Sequence, residues 1–148
     1  MDDVALANYV AGVDRGPAEA GRLDAECARL LGVPCGTAIW FSDYTLIKPQ
    51  AKHGEINFSH YKHMPSILLR GFLARGRRKN LLDFWWLCEG GFFVVLKATK
   101  TKEVYVQTFH PIHLKEARRL CRRAVKEGRL IRAQTGGIEM MKLEFEAA

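Results

Sequence analysis

Histidine, lysine and threonine side chains that could act on a phosphate group are concentrated between residues 42 and 110 of this 148-residue chain. Histidine transfers protons near neutral pH, because its ordinary pKa lies near 6.5. Lysine supplies a positive charge and threonine a hydrogen-bond donor, so side chains of these three types can cleave RNA without a metal ion. The candidate catalytic residues are Lys48, His53, Lys97, Thr99, Thr108 and His110.

Other catalytic chemistries find little support in the sequence. His60 and His63 are three residues apart and are either a metal-binding pair or two exposed polar side chains, with Glu55 as the nearby carboxylate. The acidic residues are too scattered for a two-metal nuclease, which needs clustered carboxylates. No phosphate-binding glycine loop or nucleophile elbow is present. We expect no metal and no other cofactor, and we expect reduced cysteines at Cys27, Cys35, Cys88 and Cys121.

Positive charge is unevenly distributed along the chain, whose formal net charge is +7 at pH 7. Residues 44–80 contain 8 Lys or Arg against 1 acidic residue, and residues 112–132 contain 8 against 2, whereas residues 1–36 contain 3 against 6. Two basic blocks indicate a phosphate-rich partner, and the alternative is a solvated surface that only aids solubility. We predict RNA as the partner, contacted by Arg75, Arg77, Arg78, Lys79, Arg118 and Arg122.

The elements that must position these residues are of both types, and we predict an α+β fold. Helical spacing or capping residues predict helices over 3–13, 18–31, 43–48 and 112–127, the last one basic, and a further helix that is capped by Asn57 or Ser59 and runs to about Leu69. Aromatic and β-branched runs predict strands over 37–41, 81–88, 92–99 and 103–110, the last three as a small antiparallel meander. Residues 74–80 are predicted to be a flexible basic turn, and 129–133 with 138–146 a short hairpin.

Strand alternation decides which candidate residues can meet. Thr108 and His110 share one side of a regular strand. A two-residue turn before this strand pairs Lys97 with Val104 and places Lys97 on the side of Thr108, whereas a three-residue turn pairs it with Tyr105. The sequence leaves both registers open. It also leaves open whether the aromatic cluster is core or a surface on which bases stack; its members are Phe84, Trp85, Trp86, Phe92 and Phe93.

The predicted organisation is a helical segment over 1–36, a nuclease-like core over 37–111 and a basic helix with a short tail over 112–148, together one compact domain. No apolar run approaches the ~20 residues of a membrane span, and the acidic N-terminus lacks a signal-peptide pattern. These features predict a cytoplasmic protein that does not bind a membrane.

Several short motifs between residues 37 and 111 carry a family resemblance. They are Ser42-Asp-Tyr-Thr-Leu-Ile-Lys48, His53, Tyr61-Lys-His-Met-Pro65, Val94-Val-Leu-Lys97-Ala-Thr99 and Glu103-Val-Tyr-Val-Gln-Thr108-Phe-His110. In this order they resemble the phage and prophage branch of the barnase–EndoU–colicin–RelE-like nuclease superfamily. The resemblance implies helices ahead of a small antiparallel sheet, and a metal-independent ribonuclease of the kind that phages encode as toxins or effectors.

The resemblance also implies roles for the matching residues. His53 would be the general base or acid, Lys48 and Lys97 would stabilise the phosphate, and Thr99 and Thr108 would donate hydrogen bonds, with His110 as a reserve proton-transfer partner. The segments outside the match could bind an antitoxin or immunity protein, or simply complete the fold. The competing hypothesis is a non-catalytic nucleic-acid-binding or phage-assembly protein, in which the basic blocks bind phosphate and His53 is structural.

Overall fold

The computed structural model describes residues 18–41, 61–88 and 90–135. Within these ranges the fold is α+β, with a seven-stranded, mostly antiparallel sheet and three helices. In chain order the elements are β1 (Ala18–Arg22), α1 (Ala25–Leu31), β2 (Ala38–Phe41), α2 (Met64–Arg70), β3 (Phe72–Arg75), β4 (Leu81–Trp86), β5 (Phe92–Ala98), β6 (Val104–Pro111), α3 (Leu114–Lys126) and β7 (Leu130–Arg132).

The strands are arranged in the order β1-β2-β6-β5-β4-β3-β7. Neighbouring strands are antiparallel except for β2 and β6, which are parallel. The strands predicted over 37–41, 81–88, 92–99 and 103–110 are present as β2, β4, β5 and β6. The sheet is larger than predicted, because β1, β3 and β7 extend it on both sides.

The helix predicted over residues 18–31 is wrong in its first part. Residues Ala18–Arg22 form strand β1, and the helix begins only after Asp24, whose carboxylate accepts a hydrogen bond from the Cys27 backbone N–H at 2.8 Å. Asp24 is therefore an N-cap that defines the start of α1. A strand suits the preceding residues because β1 pairs with β2, and Gly21 lets it lie close to Leu68.

The basic turn predicted to start at Ala74 starts later. Residues Phe72–Arg75 form β3, which lies between β4 and β7, and Ala74 is completely buried. The turn itself therefore covers residues 76–80. Helix α2 ends at Gly71 as predicted, and a Cβ atom added there would lie 2.6 Å from the Ile67 carbonyl oxygen.

Several predicted elements lie outside the described residues. These are the helices over 3–13 and 43–48, the first residues of the helix predicted to run to about Leu69, and the second strand of the hairpin at 138–146. The first strand of that hairpin is present as β7, and its partner in the described chain is β3. The predicted basic helix is present as α3.

The sheet has two differently packed faces. The first face carries residues such as Phe84, Leu96 and Phe109, and it packs on α1 and α2. The second face carries residues such as Ala74 and Trp85, and α3 packs on it over β3 and β4. Small side chains let α3 approach the sheet closely, namely Ala117, Cys121 and Ala124.

Arg132 of β7 connects three elements on the first side of the molecule. Its guanidinium donates to the Leu68 carbonyl at 2.6 Å and to the Asp24 carboxylate at 3.3 Å. Partial burial acts to raise the pKa of Asp24, but hydrogen bonds from Cys27 and Arg132 outweigh it and hold this pKa below its ordinary value. The carboxylate form of Asp24 is thus stabilised by folding.

We expect this carboxylate to make stability depend on pH. A carboxyl group whose pKa is lowered in the folded state adds stability at pH values above its ordinary pKa of about 4. This stability is lost as the pH falls through the lowered pKa. The Asp24→Asn variant retains the helix cap, so its free energy of unfolding at neutral pH should be lower than that of the wild type by less than about 1 kcal/mol. As the pH falls, its free energy of unfolding should decrease less steeply than that of the wild type. Urea unfolding measured across this pH range checks the prediction, and an unchanged acid decline would contradict it.

Candidate nucleic-acid and catalytic site

The turn between β5 and β6 fixes how Lys97 is placed. The Lys102 N–H donates to the Thr99 carbonyl at 3.0 Å, and the Thr99 N–H donates to the Glu103 carbonyl at 2.8 Å. Lys102 adopts a left-handed conformation with φ of 68°. This is a three-residue hairpin connection, and of the two registers that the sequence allowed it selects the one that pairs Lys97 with Tyr105.

A β-bulge in β6 brings Thr108 to the face of Lys97. The pairing shifts between Val95, which lies opposite Thr108, and Leu96, which lies opposite Val106. Gln107 is therefore an extra residue, and a bulge of this kind re-aims the side chains that follow it. Without the bulge, the three-residue turn would have placed Thr108 on the opposite face from Lys97.

Three candidate residues consequently share the second face of the sheet. Lys97 lies between Leu96 and Ala98, which point into the core of the first face, and Lys97 itself is exposed. Thr108 lies opposite Val95, and His110 lies opposite Phe93. Both are partly exposed.

Their spacing follows from the strand geometry. Lys97 and Thr108 are diagonal neighbours on adjacent strands, with Cα atoms roughly 7–8 Å apart. His110 is two residues beyond Thr108, so its Cα is about 14 Å from that of Lys97. Thr108 lies between the ammonium and the imidazole, and a phosphate held at Thr108 would have a cation on one side and a proton-transfer group on the other.

The imidazole of His110 is held in one orientation. Its Nδ1 lies 2.7 Å from the Pro111 carbonyl oxygen, and its ring is in edge contact with Phe93, with centroids 5.7 Å apart. A carbonyl oxygen can only accept, so this hydrogen bond requires the proton on Nδ1. In the neutral ring Nε2 then carries the lone pair, which is the arrangement a general base needs.

The remaining catalytic candidates are placed differently. The Thr99 hydroxyl accepts from the Glu103 N–H at 3.2 Å and lies 3.0 Å from the Thr101 hydroxyl, so it stabilises the β5–β6 turn. Lys48 and His53 lie outside the described residues. The structure therefore puts Lys97, Thr108 and His110 on one face of the sheet, with Thr99 at the adjacent turn.

The predicted RNA-binding residues form two basic surfaces. A cleft of about 300 Å³ lies at the β3–β4 turn, and Leu30 and Leu81 form part of its wall beside four cationic side chains, those of Arg75, Arg77, Arg78 and Lys79. Asn80 donates to the Ala98 carbonyl at 3.1 Å, so this turn adjoins the end of β5, beyond Lys97. On α3, Arg122 is exposed and Arg118 is partly buried.

Asp83 is a residue of the second face that the sequence interpretation did not select. It lies between Val95 and Ala74 in the sheet, and its carboxylate is 3.4 Å from Arg129 Nη1. Burial raises the pKa of Asp83, and the charge of Arg129 partly offsets this effect. The signal in the sequence was a single acid inside an otherwise apolar strand, which predicts a side chain with a specific partner.

The aromatic cluster belongs to the core. Trp85 and Trp86 project to opposite faces, as alternation predicts, but both are buried, with 2% and 4% of their surface exposed. Of the two alternatives that the sequence left open for this cluster, the burial of both side chains supports the core, and α3 covers the face of Trp85. Phe84 and Phe92 are also buried. A base-stacking role for these four side chains therefore has no support.

The part of the chain that the structure describes contains no group of three or more His, Cys, Asp or Glu side chains able to hold a metal ion. In residues 18–41, 61–88 and 90–135, no helix is both long and apolar enough to cross a lipid bilayer. Comparison of the chain with protein-family models, with curated proteins and with solved structures finds no match.

Proposed function

We propose that the protein is a metal-independent endoribonuclease that acts on the second face of its sheet. The observation that carries the proposal is the β6 bulge, through which Thr108 and His110 share one face of the sheet with Lys97. These groups supply a cation, a hydrogen-bond donor and a proton-transfer group for one phosphodiester. The proposed biological role, a phage or prophage toxin or effector controlled by an antitoxin or immunity protein, rests on the sequence resemblance alone.

The proposed reaction uses the 2′-OH of the RNA as nucleophile. A base takes the 2′-OH proton while the O2′–P bond forms, and an acid gives a proton to the 5′-oxygen as the P–O5′ bond breaks. The products are a 2′,3′-cyclic phosphate and a 5′-OH. His110 is one proton-transfer group through Nε2, and His53 is proposed, from the sequence, as the other.

The transition state gains negative charge on the phosphate oxygens. In this proposal Lys97 and Thr108 stabilise this charge, and each pre-positioned donor can contribute about 10²–10³-fold to the rate. Lys48 is a further proposed cation from the sequence. The exposed cations of α3, which packs on the second face, would bind the RNA backbone near the scissile phosphate, and the basic cleft at Arg75–Lys79, which opens on the first-face side next to Leu30 of α1, would bind it farther along the strand.

Cleavage of a fluorogenic RNA in the presence of EDTA tests the proposal. We expect cleavage without added metal, a 2′,3′-cyclic phosphate on the product, and no cleavage of a strand that is 2′-deoxy throughout, because that strand lacks the nucleophile. Cleavage only with added divalent metal, or cleavage of the deoxy strand, would contradict the mechanism.

A second candidate function is nucleic-acid binding without cleavage, as in a phage-assembly protein. The four-cation cleft at the β3–β4 turn favours it, because this cleft can bind phosphate with no histidine. Under this alternative the protein binds RNA or DNA with a steep salt dependence and leaves the RNA intact. The same assay, with product analysis after prolonged incubation, separates the two functions.

A further inference from the structure

We propose that Trp40 and Tyr105 form a platform on which unpaired nucleobases stack, beside Lys97 on the second face. The proposal rests on the nucleic-acid-binding part of the proposed function and does not require cleavage. It assigns the ligand class of this surface as single-stranded nucleic acid.

The platform follows from one row of paired residues across five strands. Glu19 pairs with Trp40, Trp40 with Tyr105, Tyr105 with Lys97, and Lys97 with Leu81. Paired residues on neighbouring strands project to the same side, so all five lie on the second face. Strands are about 4.8 Å apart, so Trp40 and Tyr105 occupy neighbouring positions on this face, as do Tyr105 and Lys97.

The exposure of these rings distinguishes them from the other aromatic residues of the sheet. Trp40 and Tyr105 are partly exposed, whereas Trp85 and Trp86, the other two tryptophans, are buried. The Tyr105 hydroxyl donates to the Glu103 carboxylate, which holds the ring along the strand. Two partly exposed aromatic side chains at paired positions on a sheet surface are suited to stacking bases, because every base has a π-face.

Charge on either side of the platform indicates how the strand would lie. Lys97 is exposed beside Tyr105, and the basic turn at Arg77–Lys79 lies at the same end of β4 and β5. On the opposite side Glu19 is 2.9 Å from Arg22, which neutralises its charge. Phosphates would therefore contact Lys97, while the bases point toward Trp40. A duplex hides the faces of its bases, so the platform selects unpaired strands.

The test uses a single-stranded oligodeoxyadenylate and an abasic oligomer of the same length, measured by fluorescence anisotropy. Neither probe has a 2′-OH, so binding is measured independently of cleavage. We expect Trp40→Ala and Tyr105→Ala each to weaken oligodeoxyadenylate binding about tenfold or more and to leave the weaker abasic binding unchanged. Lys97→Ala should weaken binding of both probes by a similar factor, because it removes a phosphate contact.

Two results would overturn the proposal. The first is that the wild type does not bind oligodeoxyadenylate, or that folded Trp40→Ala and Tyr105→Ala variants bind it as well as the wild type does. A protein partner would then be the occupant of this surface. The second is that these variants lose affinity for the abasic probe by the same factor, which would mean that the rings contact only the sugar-phosphate backbone of the probe. The conservative variant Trp40→Phe should retain binding. If the wild type binds in the expected way but never cleaves RNA, the nuclease proposal fails and the platform remains.

Discussion

Replacing His110 with alanine is expected to lower kcat for RNA cleavage by about 10²–10⁴-fold, which is the usual contribution of one general acid or base. The hydrogen bond from Nδ1 to the Pro111 carbonyl fixes the tautomer in which Nε2 of the neutral ring carries the lone pair, as a general base requires. Removal of this ring should also abolish one limb of the pH–rate profile, an effect that a purely structural loss would not produce. Initial rates in EDTA across pH give both quantities.

His113 provides the matched control for this prediction. It is an exposed histidine at the start of α3 and makes no side-chain capping hydrogen bond. His113→Ala should therefore keep the wild-type rate. An activity of His110→Ala close to that of His113→Ala would remove His110 from the mechanism. If His53 is the second proton-transfer group, His53→Ala should lower kcat by a factor of the same order as His110→Ala. The His53→Ala and His110→Ala proteins should both keep the circular-dichroism spectrum of the folded wild type.

Replacing Phe109 with alanine is expected to lower the free energy of unfolding by about 3–5 kcal/mol, as for other large aromatic residues in a core. Phe109 is completely buried. Its ring stacks on Phe92, with centroids 5.6 Å apart, and lies 5.0 Å from the ring of Tyr61. A domain stability of about 5–15 kcal/mol leaves little margin for such a loss. Urea unfolding of the two proteins gives the difference.

The same substitution at Phe93 tests the register on which the site depends. Phe93 lies on the second face, is partly exposed and stacks on Trp85. Phe93→Ala should therefore lower the free energy of unfolding by clearly less than Phe109→Ala does. A larger loss at Phe93 would mean that Phe109 does not face the core. The bulge would then be absent, and Thr108 would not share a face with Lys97.

The central strands and the last helix could be predicted because their local pattern agrees with their environment. Leu81–Trp86, Phe92–Ala98 and Val104–Pro111 combine apolar, aromatic and β-branched residues with clear turns between them. In α3, Ala117, Cys121 and Ala124 recur at helical spacing and are the residues that meet the sheet. In each case local propensity and tertiary packing favour the same structure.

Strands β1 and β3 could not be predicted, because tertiary pairing decides them. Ala18–Arg22 contains alanine and glutamate, which favour a helix, yet it forms an edge strand on β2. Phe72–Arg75 has only four residues between a helix end and a basic turn, and it becomes a strand because β4 and β7 pair with it on either side. Trp85 is buried by α3, an element about thirty residues later in the sequence.

The candidate site could be predicted in its residue types but not in its geometry. The shared side of Thr108 and His110 followed from alternation, whereas the face of Lys97 depended on the turn and on the bulge at Gln107. A signal for the bulge was present in the sequence: Val104 and Val106 are two residues apart, and the next core residue, Phe109, follows after three. Trp40 was missed as a surface residue because its exposure depends on the pairing of β2 with β6.

We propose that Lys97, Thr108 and His110 bind one phosphodiester on the second face. NMR tests this most directly: the labelled protein is titrated with a single-stranded oligodeoxynucleotide while its amide and imidazole signals are recorded. We predict that the largest shifts map to β5 and β6 around Lys97, Thr108 and the His110 ring, and that Lys97→Ala raises the oligonucleotide concentration needed to produce them about tenfold. Shifts confined to the first face, to α1 or to the far end of β7, with the His110 ring signals unmoved, would contradict the account.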